Sequence, residues 1–240
     1  YILLTIYDNQ SESNVDITVH NLLPICNSNL IRQYSLFDQR FHILGLYLKH
    51  WSKTNKIHGA PDGFLSSYAL LIMMIHFLQK IAEPRVLPNL QKIPYNNNYK
   101  EPVYLKEPYD YIANGNYLTT NIYFEKDSSK INEYMNNINK GAINKESVAN
   151  LLVNFFEYYA YFFDPRQKIS IHKELKESIK TNNEDNYAFS IDDPFEITHN
   201  PGKSMIYNTQ TFFKFSNAMK KEINLILSGE YVKRFNHILK

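Results

Sequence analysis

The chain has 240 residues, a hydrophobic content of 44% and a formal net charge of +2, so it is long enough for one large or two small cores and too apolar to be disordered. The near-neutral balance excludes a globally basic nucleic-acid binder and leaves any such contact to a local patch. One cysteine, Cys26, excludes an internal disulfide and a cysteine-rich zinc site and fits a reducing, intracellular compartment.

Residues 1–7 and 15–19 read as two strands joined by the polar turn 8–14. Val15, Ile17 and Val19 alternate with Asp16 and Thr18, which predicts the apolar three against a core and Asp16 on the opposite face. By that pattern alone Asp16 is a surface-strand acid. Two strands make a marginal sheet, so this segment is expected to be the C-terminal edge of a domain that begins upstream. The first residues show no basic n-region followed by an apolar signal core, and Tyr1 is not an initiator, so the chain is expected to start inside a longer polypeptide.

From residue 21 the pattern turns helical. Over 38–56, Phe41, Leu44, Leu48 and Trp51 recur at steps of three and four, while His42, Lys49 and Lys53 form a stripe on another face. Two lysines one turn apart can grip one polyphosphate from two points, although such a pair by itself is a solvated stripe. The run 64–78 is apolar nearly all round, interrupted by Ser66, Ser67 and His76, and too short to span a bilayer. It predicts a buried helix that begins near Phe64, after Gly63, and ends before Pro84. Ser67 falls in its first turn, where free amides and the helix dipole favour phosphate and where capping is the simpler use.

Residues 93–144 read as a tyrosine- and asparagine-rich, loop-rich insertion with a short strand near 117–124 and a low-complexity run at 96–98. Ser147 starts an aromatic helix through Leu151, Leu152, Phe155, Phe156, Tyr159 and Phe163 that stops at Asp164-Pro165. A short strand near 169–171 and a charged loop at 176–186 follow. The last amphipathic helix carries Phe212, Phe215, Met219, Ile223 and Ile226 on one side and turns Lys214, Lys220 and Lys221 toward solvent.

Six motifs stand in order: Val15-Asp16-Ile17, Asn27-Ser28, Lys49-His50-Trp51-Ser52-Lys53, Gly63-Phe64-Leu65-Ser66-Ser67-Tyr68, the 84–90 segment Pro-Arg-Val-Leu-Pro-Asn-Leu, and the 192–200 segment Asp-Asp-Pro-Phe-Glu-Ile-Thr-His-Asn. In this order and spacing the chain resembles the terminal uridylyltransferases and cytoplasmic-type poly(A) polymerases of the nucleotidyltransferase superfamily. The resemblance covers most of the chain and is weakest across the insertion. The Ser-Ser-Tyr and Asp-Pro-Phe-Glu-x-x-His-Asn pieces are its most specific parts.

The resemblance implies an α+β fold. Residues 1–20 would be a remnant of the catalytic palm, and 21–240 a mostly helical central domain of the poly(A)-polymerase-associated type. A nucleoside triphosphate would bind in the cleft between them. The implied reaction is template-independent transfer of UMP from UTP to an RNA 3′ end, with the RNA held mainly through backbone and stacking. Asp16 takes the place of the third metal-site carboxylate. Two magnesium (or manganese) ions there would activate the RNA 3′ hydroxyl and stabilise the leaving pyrophosphate. Asn27 and Ser28 match the ribose-contacting pair, with a helix N-cap as the plainer use of Ser28. Lys49, Lys53 and Ser67 fall where phosphates are held, and Tyr68 where a base stacks, though a core tyrosine is its ordinary reading.

Asp193, Glu196 and His199 match the base-reading segment. A histidine in that place accompanies uridylyl specificity, because imidazole can hydrogen-bond a uracil carbonyl and its bulk leaves little room for a purine. Asp193 or Glu196 could hold an ordered water or accept the uracil imide N–H. Outside the resemblance, His199 is a loop histidine and Asp193 a turn former before Pro194.

The chain also departs from the family. The upstream Gly-Ser and Asp-x-Asp pieces are absent, and one carboxylate cannot hold two magnesium ions, so these 240 residues by themselves are expected to be inactive. Lys203 stands where relatives often carry arginine and keeps the charge without the fork. His20 replaces a common asparagine. The same chemistry with ATP, and a non-catalytic RNA-processing subunit, stay open as alternatives. So do the RNA target, tail length, compartment and protein partners; no membrane association is expected.

Overall fold

The structure, a computed structural model, describes residues 2–10, 13–19, 22–93, 104–111, 117–173, 175, 178–181, 184–196 and 198–229. The fold is α+β, with six α-helices and three two-stranded sheets among the described residues. No helix among them is long and apolar enough to cross a membrane.

β1 (Ile2–Asp8) and β2 (Ser13–Val19) pair antiparallel, with Leu4 opposite Ile17, Thr5 opposite Asp16 and Ile6 opposite Val15. The pleat therefore puts the apolar residues on one face and Thr5 with Asp16 on the other. The expected core contact of Val15, Ile17 and Val19 is not found: Leu4, Ile6, Val15, Ile17 and Val19 are all 44% to 54% exposed. Alternation sorts side chains to faces, but burial needs a second layer, and none lies on this ribbon among the described residues.

α1 (Leu23–Phe37), with proline in its first turn, buries Leu30 and Tyr34. α2 (Gln39–Thr54) is capped by Asp38, whose carboxylate accepts from the Arg40 amide at 2.8 Å and also pairs with the Arg40 guanidinium at 2.7 Å. Phe41, Leu44, Leu48 and Trp51 are buried, as their spacing predicts, and the Trp51 ring packs on Phe156 and Phe215 at 4.8 and 5.6 Å. His42, Lys49 and Lys53 are exposed on the other face.

α3 (Ser67–Lys80) lies in the middle of the body, and its residues 69, 70 and 72–79 are buried. It begins three residues later than the apolar run suggests, because the Ser66 hydroxyl accepts from the Ala69 amide at 3.1 Å and so sets the cap. Phe64 and Leu65 are buried from the preceding loop. Within α3, His76 donates from Nδ1 to the Tyr159 hydroxyl at 2.9 Å, which donates to the Met73 carbonyl at 2.9 Å. Burial pushes His76 down to about 3, with Lys80 adding to the shift, so it stays a neutral core histidine.

The stretch read as loop-rich contains more regular structure. β3 (Tyr104–Tyr111) pairs antiparallel with β4 (Tyr117–Asn121), and α4 (Ser128–Ile138) follows. Asp127 caps α4 by accepting from the Ser129 amide at 2.8 Å, and Ile131 is buried beneath it. The asparagine run at 96–98 and His20 lie outside the described residues, as does part of the 176–186 loop.

α5 (Val148–Glu157), capped by Ser147, runs into a π-helical turn at Tyr158–Phe162. β5 (Lys168–Ile169) and β6 (Ser190–Ile191) pair in parallel beside α3. α6 (Gln210–Leu227) buries Phe215, Met219 and Ile223 against α5. Its buried Glu222 accepts from the Tyr47 hydroxyl, a polar contact between α6 and α2 that periodicity does not foretell. Lys214 and Lys221 are exposed, whereas Lys220 is half-buried over the Tyr161 ring.

Candidate functional site

The first turn of α3 and the segment after β6 are brought together across 125 residues of sequence. The Tyr68 hydroxyl donates to Asp193 Oδ2 at 3.2 Å, and His199 Nδ1 lies 3.1 Å from the same oxygen. The amides of Phe195 and Glu196 donate to Asp193 Oδ1, each at 3.0 Å. Asp193 thus forms the expected turn ahead of Pro194 and also joins Tyr68 to His199.

Asp193 is 3% exposed. Burial works to raise its carboxyl, but the hydrogen bonds from His199, Phe195 and Glu196 outweigh it and hold the carboxyl below the usual range. An ionised carboxylate only accepts, so His199 Nδ1 carries the proton of their bond. That bond leads in raising His199 above the ordinary histidine value; burial and Lys203 oppose the shift, while the charges of Asp193 and Glu196 add to it. Burial and then the Asp193 carboxylate push the Tyr68 phenol far up, so it remains a protonated donor. Glu196 is exposed along about half of its side chain and lies 4.0 Å from His199 Nδ1.

The segment is held from behind. Asn200 Oδ1 accepts from the Ile191 amide at 3.0 Å and from the Gly202 amide at 2.8 Å, folding the chain back onto β6. A Cβ on Gly202 would fall 2.0 Å from the Phe189 carbonyl oxygen, so only glycine fits this return. Asp192 faces the other way, bonded by Lys168 at 2.7 Å and Lys173 at 3.0 Å.

Ser67 is the first residue of α3, and with Ser66 serving as the cap its own hydroxyl bonds His58 Nε2 at 3.0 Å instead. Ser67 and Lys49 line one cleft of about 210 Å³ between the helices. Lys53 lies one turn beyond Lys49 on the exposed face of α2. His58 was not among the residues that the sequence pattern marked, since a lone loop histidine carries no periodic or motif signal.

The other expected residues lie on α1 and β2. Ser28 is interior to α1 and donates to the Pro24 carbonyl at 2.8 Å, so it is not an N-cap. Asn27 has a buried Oδ1 with no hydrogen-bond partner among the described residues. Asp16 is exposed on β2 and accepts from the Thr5 hydroxyl at 2.7 Å. Among the described residues no group of three or more histidine, cysteine or acidic side chains is arranged to hold a metal. Asp16 alone does not make a two-metal site.

No family model matches the chain. Terminal uridylyltransferase cid1 of Schizosaccharomyces pombe is 30% identical over 207 residues, 79% of this chain and 45% of that protein. Poly(A) RNA polymerase GLD2 of Rattus norvegicus is 29% identical over 186 residues, 77% of this chain and 34% of that protein. The chain thus spans less than half the length of these curated relatives. The structure of Cid1 in complex with the UTP analog UMPNPP superposes with a TM-score of 0.68 at 25% identity, over 99% of this chain and 69% of that one. A histidine-to-asparagine mutant of the Cid1 poly(U) polymerase bound to MgATP superposes with a TM-score of 0.68 at 25% identity, over 95% and 64%.

Proposed function

The chain belongs to the family of terminal uridylyltransferases and cytoplasmic-type poly(A) polymerases, and from that premise we propose that it is the nucleotide-binding part of an RNA 3′-terminal uridylyltransferase. The reaction of the full-length protein joins UMP from UTP to an RNA 3′ end without a template. The 3′ hydroxyl oxygen forms a bond to the α-phosphorus, the α–β phosphoanhydride bond breaks, and pyrophosphate leaves. Residues 1–20 belong to the catalytic palm in this reading, and 21–240 to the helical central domain.

The observation that carries the reading is the bonded set Tyr68–Asp193–His199. Asp193 fixes the phenol and the imidazole at one carboxylate oxygen, so both rings are oriented before a base arrives. Tyr68 offers its ring for stacking. With Nδ1 spent on Asp193, His199 presents Nε2 to the base edge. In the charged form that nitrogen is a donor, suited to a uracil carbonyl and mismatched to the adenine amino group. Glu196, exposed beside it, accepts from the uracil imide. Lys49, Lys53 and Ser67 hold the phosphates, and Asn27 and Ser28 meet the ribose.

A divalent metal, magnesium or manganese, needs more than Asp16 provides. Asp16 supplies one carboxylate, and others must come from elsewhere in the polypeptide or from another chain. Activity is therefore assigned to the full-length protein and not to these residues alone. The RNA 3′ end is the other substrate.

Primer extension tests this. The full-length protein, with magnesium and an unstructured RNA primer, receives UTP, ATP, CTP or GTP separately. Extension mainly with UTP, made less selective by His199→Ala, is expected. Extension mainly with ATP would favour a poly(A) polymerase, the activity named for the GLD2 relative. No extension by folded protein would favour a non-catalytic RNA-processing subunit.

A further inference from the structure

His58 lies in the loop between α2 and the short 3-10 turn Ala60–Asp62, and the backbone on both sides of it is clamped. The Ile57 amide donates to the Ser52 carbonyl at 2.9 Å, and the Ile57 side chain is fully buried. The Gly59 amide donates to the Leu65 carbonyl at 3.2 Å, and the Gly59 carbonyl accepts from Phe64 at 3.0 Å. Gly59 has φ +107°, a conformation that side-chain-bearing residues rarely adopt. The loop therefore delivers His58 to one place, with Nε2 3.0 Å from Ser67 Oγ.

We propose that His58 is a third, proton-regulated member of the phosphate grip: it takes up a proton from solvent as a nucleoside triphosphate seats against Lys49, Lys53 and Ser67. The inference rests on the reading of these residues as a phosphate site. In the neutral ring with its proton on Nδ1, Nε2 accepts the Ser67 hydroxyl proton, so that proton is unavailable to a ligand. In the protonated ring Nε2–H donates to Ser67 Oγ, and the hydroxyl proton is released toward a phosphate oxygen. One proton enters and one donor turns outward, so the phosphate gains a hydrogen bond and a nearby positive charge together.

The surroundings set the free protein in the neutral state. Burial, then Lys53 and then Lys49, hold His58 below the ordinary histidine range. Of the other charged groups on elements packed around this loop, Asp62 lies on the 3-10 turn. Lys214 of α6 donates to the Lys56 carbonyl at 2.9 Å. A polyphosphate placed among the lysines reverses the sign of the local field and favours the imidazolium. Binding that takes up a proton strengthens as pH falls through the bound-state value of the group and levels off below its free-state value.

The test is calorimetric binding of UTP with magnesium, and of uridine, to the full-length protein and its His58→Asn and His58→Gln variants. Wild-type UTP affinity is expected to rise about fivefold more than that of either variant between about pH 8 and about pH 6. The excess proton uptake should appear when buffers of different ionisation enthalpy are compared. Uridine, lacking phosphates, should show no difference in slope between wild type and variants, which separates His58 from the titration of His199. Equal slopes for UTP in wild type and both variants, in a protein whose UTP binding still depends on Lys49 and Lys53, would overturn this inference alone. UTP affinity unchanged in Lys49→Ala and Lys53→Ala would remove the phosphate site itself, and the inference with it.

Discussion

Ile17 in β2 and Leu48 in α2 are both placed by strict periodicity, yet Ile17 is 44% exposed and Leu48 is fully buried. The difference between the hairpin and the helical body lies in what surrounds each pattern. In the body, α2, α3, α5 and α6 supply one another's missing layer, and the aromatic rings of Trp51, Phe156, Phe215 and Phe189 interlock there. On the hairpin no described element covers the apolar face. The same contrast divides the chemistry. The residues assigned to phosphate and base sit on elements rooted in the core, while Asp16, assigned to metal, sits on the ribbon. In the proposed reading, then, the nucleotide-binding residues belong to the body and the metal-binding residue to the ribbon.

The largest effect is expected where the body is densest. Leu48→Ala should cost about 2–5 kcal/mol of stability, read by thermal or denaturant unfolding, because a fully buried leucine leaves a cavity. A cost below about 1 kcal/mol would mean that the body is packed as loosely as the ribbon.

Asp16→Asn should lower RNA tailing by the full-length protein about a hundredfold or more, the scale of losing one electrostatic group at a reacting centre. Its melting temperature should hardly move, since the side chain is exposed and, among the described residues, bonded only to the Thr5 hydroxyl. Equal losses of activity and stability would make Asp16 structural and erase the division of roles.

A smaller effect follows from His199. The Asp193 hydrogen bond raises His199, so the imidazolium persists to higher pH than in an ordinary histidine, and the proton is lost as pH rises through the raised value. Preference for UTP over ATP should therefore fall with rising pH, by about tenfold for loss of one charged hydrogen bond. Selectivity that is flat with pH would leave discrimination to shape alone. The same pair also acts on stability. The raised His199 contributes fully below its unfolded value of about 6.5, and that contribution is lost as pH rises through its folded value. The lowered Asp193 contributes above its unfolded value of about 3.9, and this is lost as pH falls through its folded value. Asp193→Asn should thus be most costly between about pH 4 and about pH 6.5.

The smallest effect is the sharpest test of the comparison. Ile17→Thr should change stability of these 240 residues by less than about 0.5 kcal/mol, as for other half-exposed positions. In the full-length protein the same substitution becomes costly if another layer covers the hairpin. Matching values in both would show that the apolar face stays in water.

Much of the body was legible in the chain. The buried stripe of α2, the all-round apolar α3 and the start of α5 at Ser147 follow from period and sequence pattern. α4 was missed in a tyrosine- and asparagine-rich stretch, although Asp127 with Ile131 and Tyr134 carries a cap and the start of a helical face. Of the site, the ordered motifs marked Tyr68, Asp193 and His199. No local pattern marked His58, which matters only because two clamped backbone strands carry it to Ser67.

Period, caps and motif order depend on neighbours along the chain, so the sequence by itself determined the principal helices, the hairpin's two faces and the family. Burial and cross-chain bonding depend on which elements meet. Packing alone decided that Leu48 is dry and Ile17 wet, that Ser66 rather than Ser67 caps α3, and that one buried carboxylate, Asp193, binds a phenol 125 residues away and an imidazole six residues on.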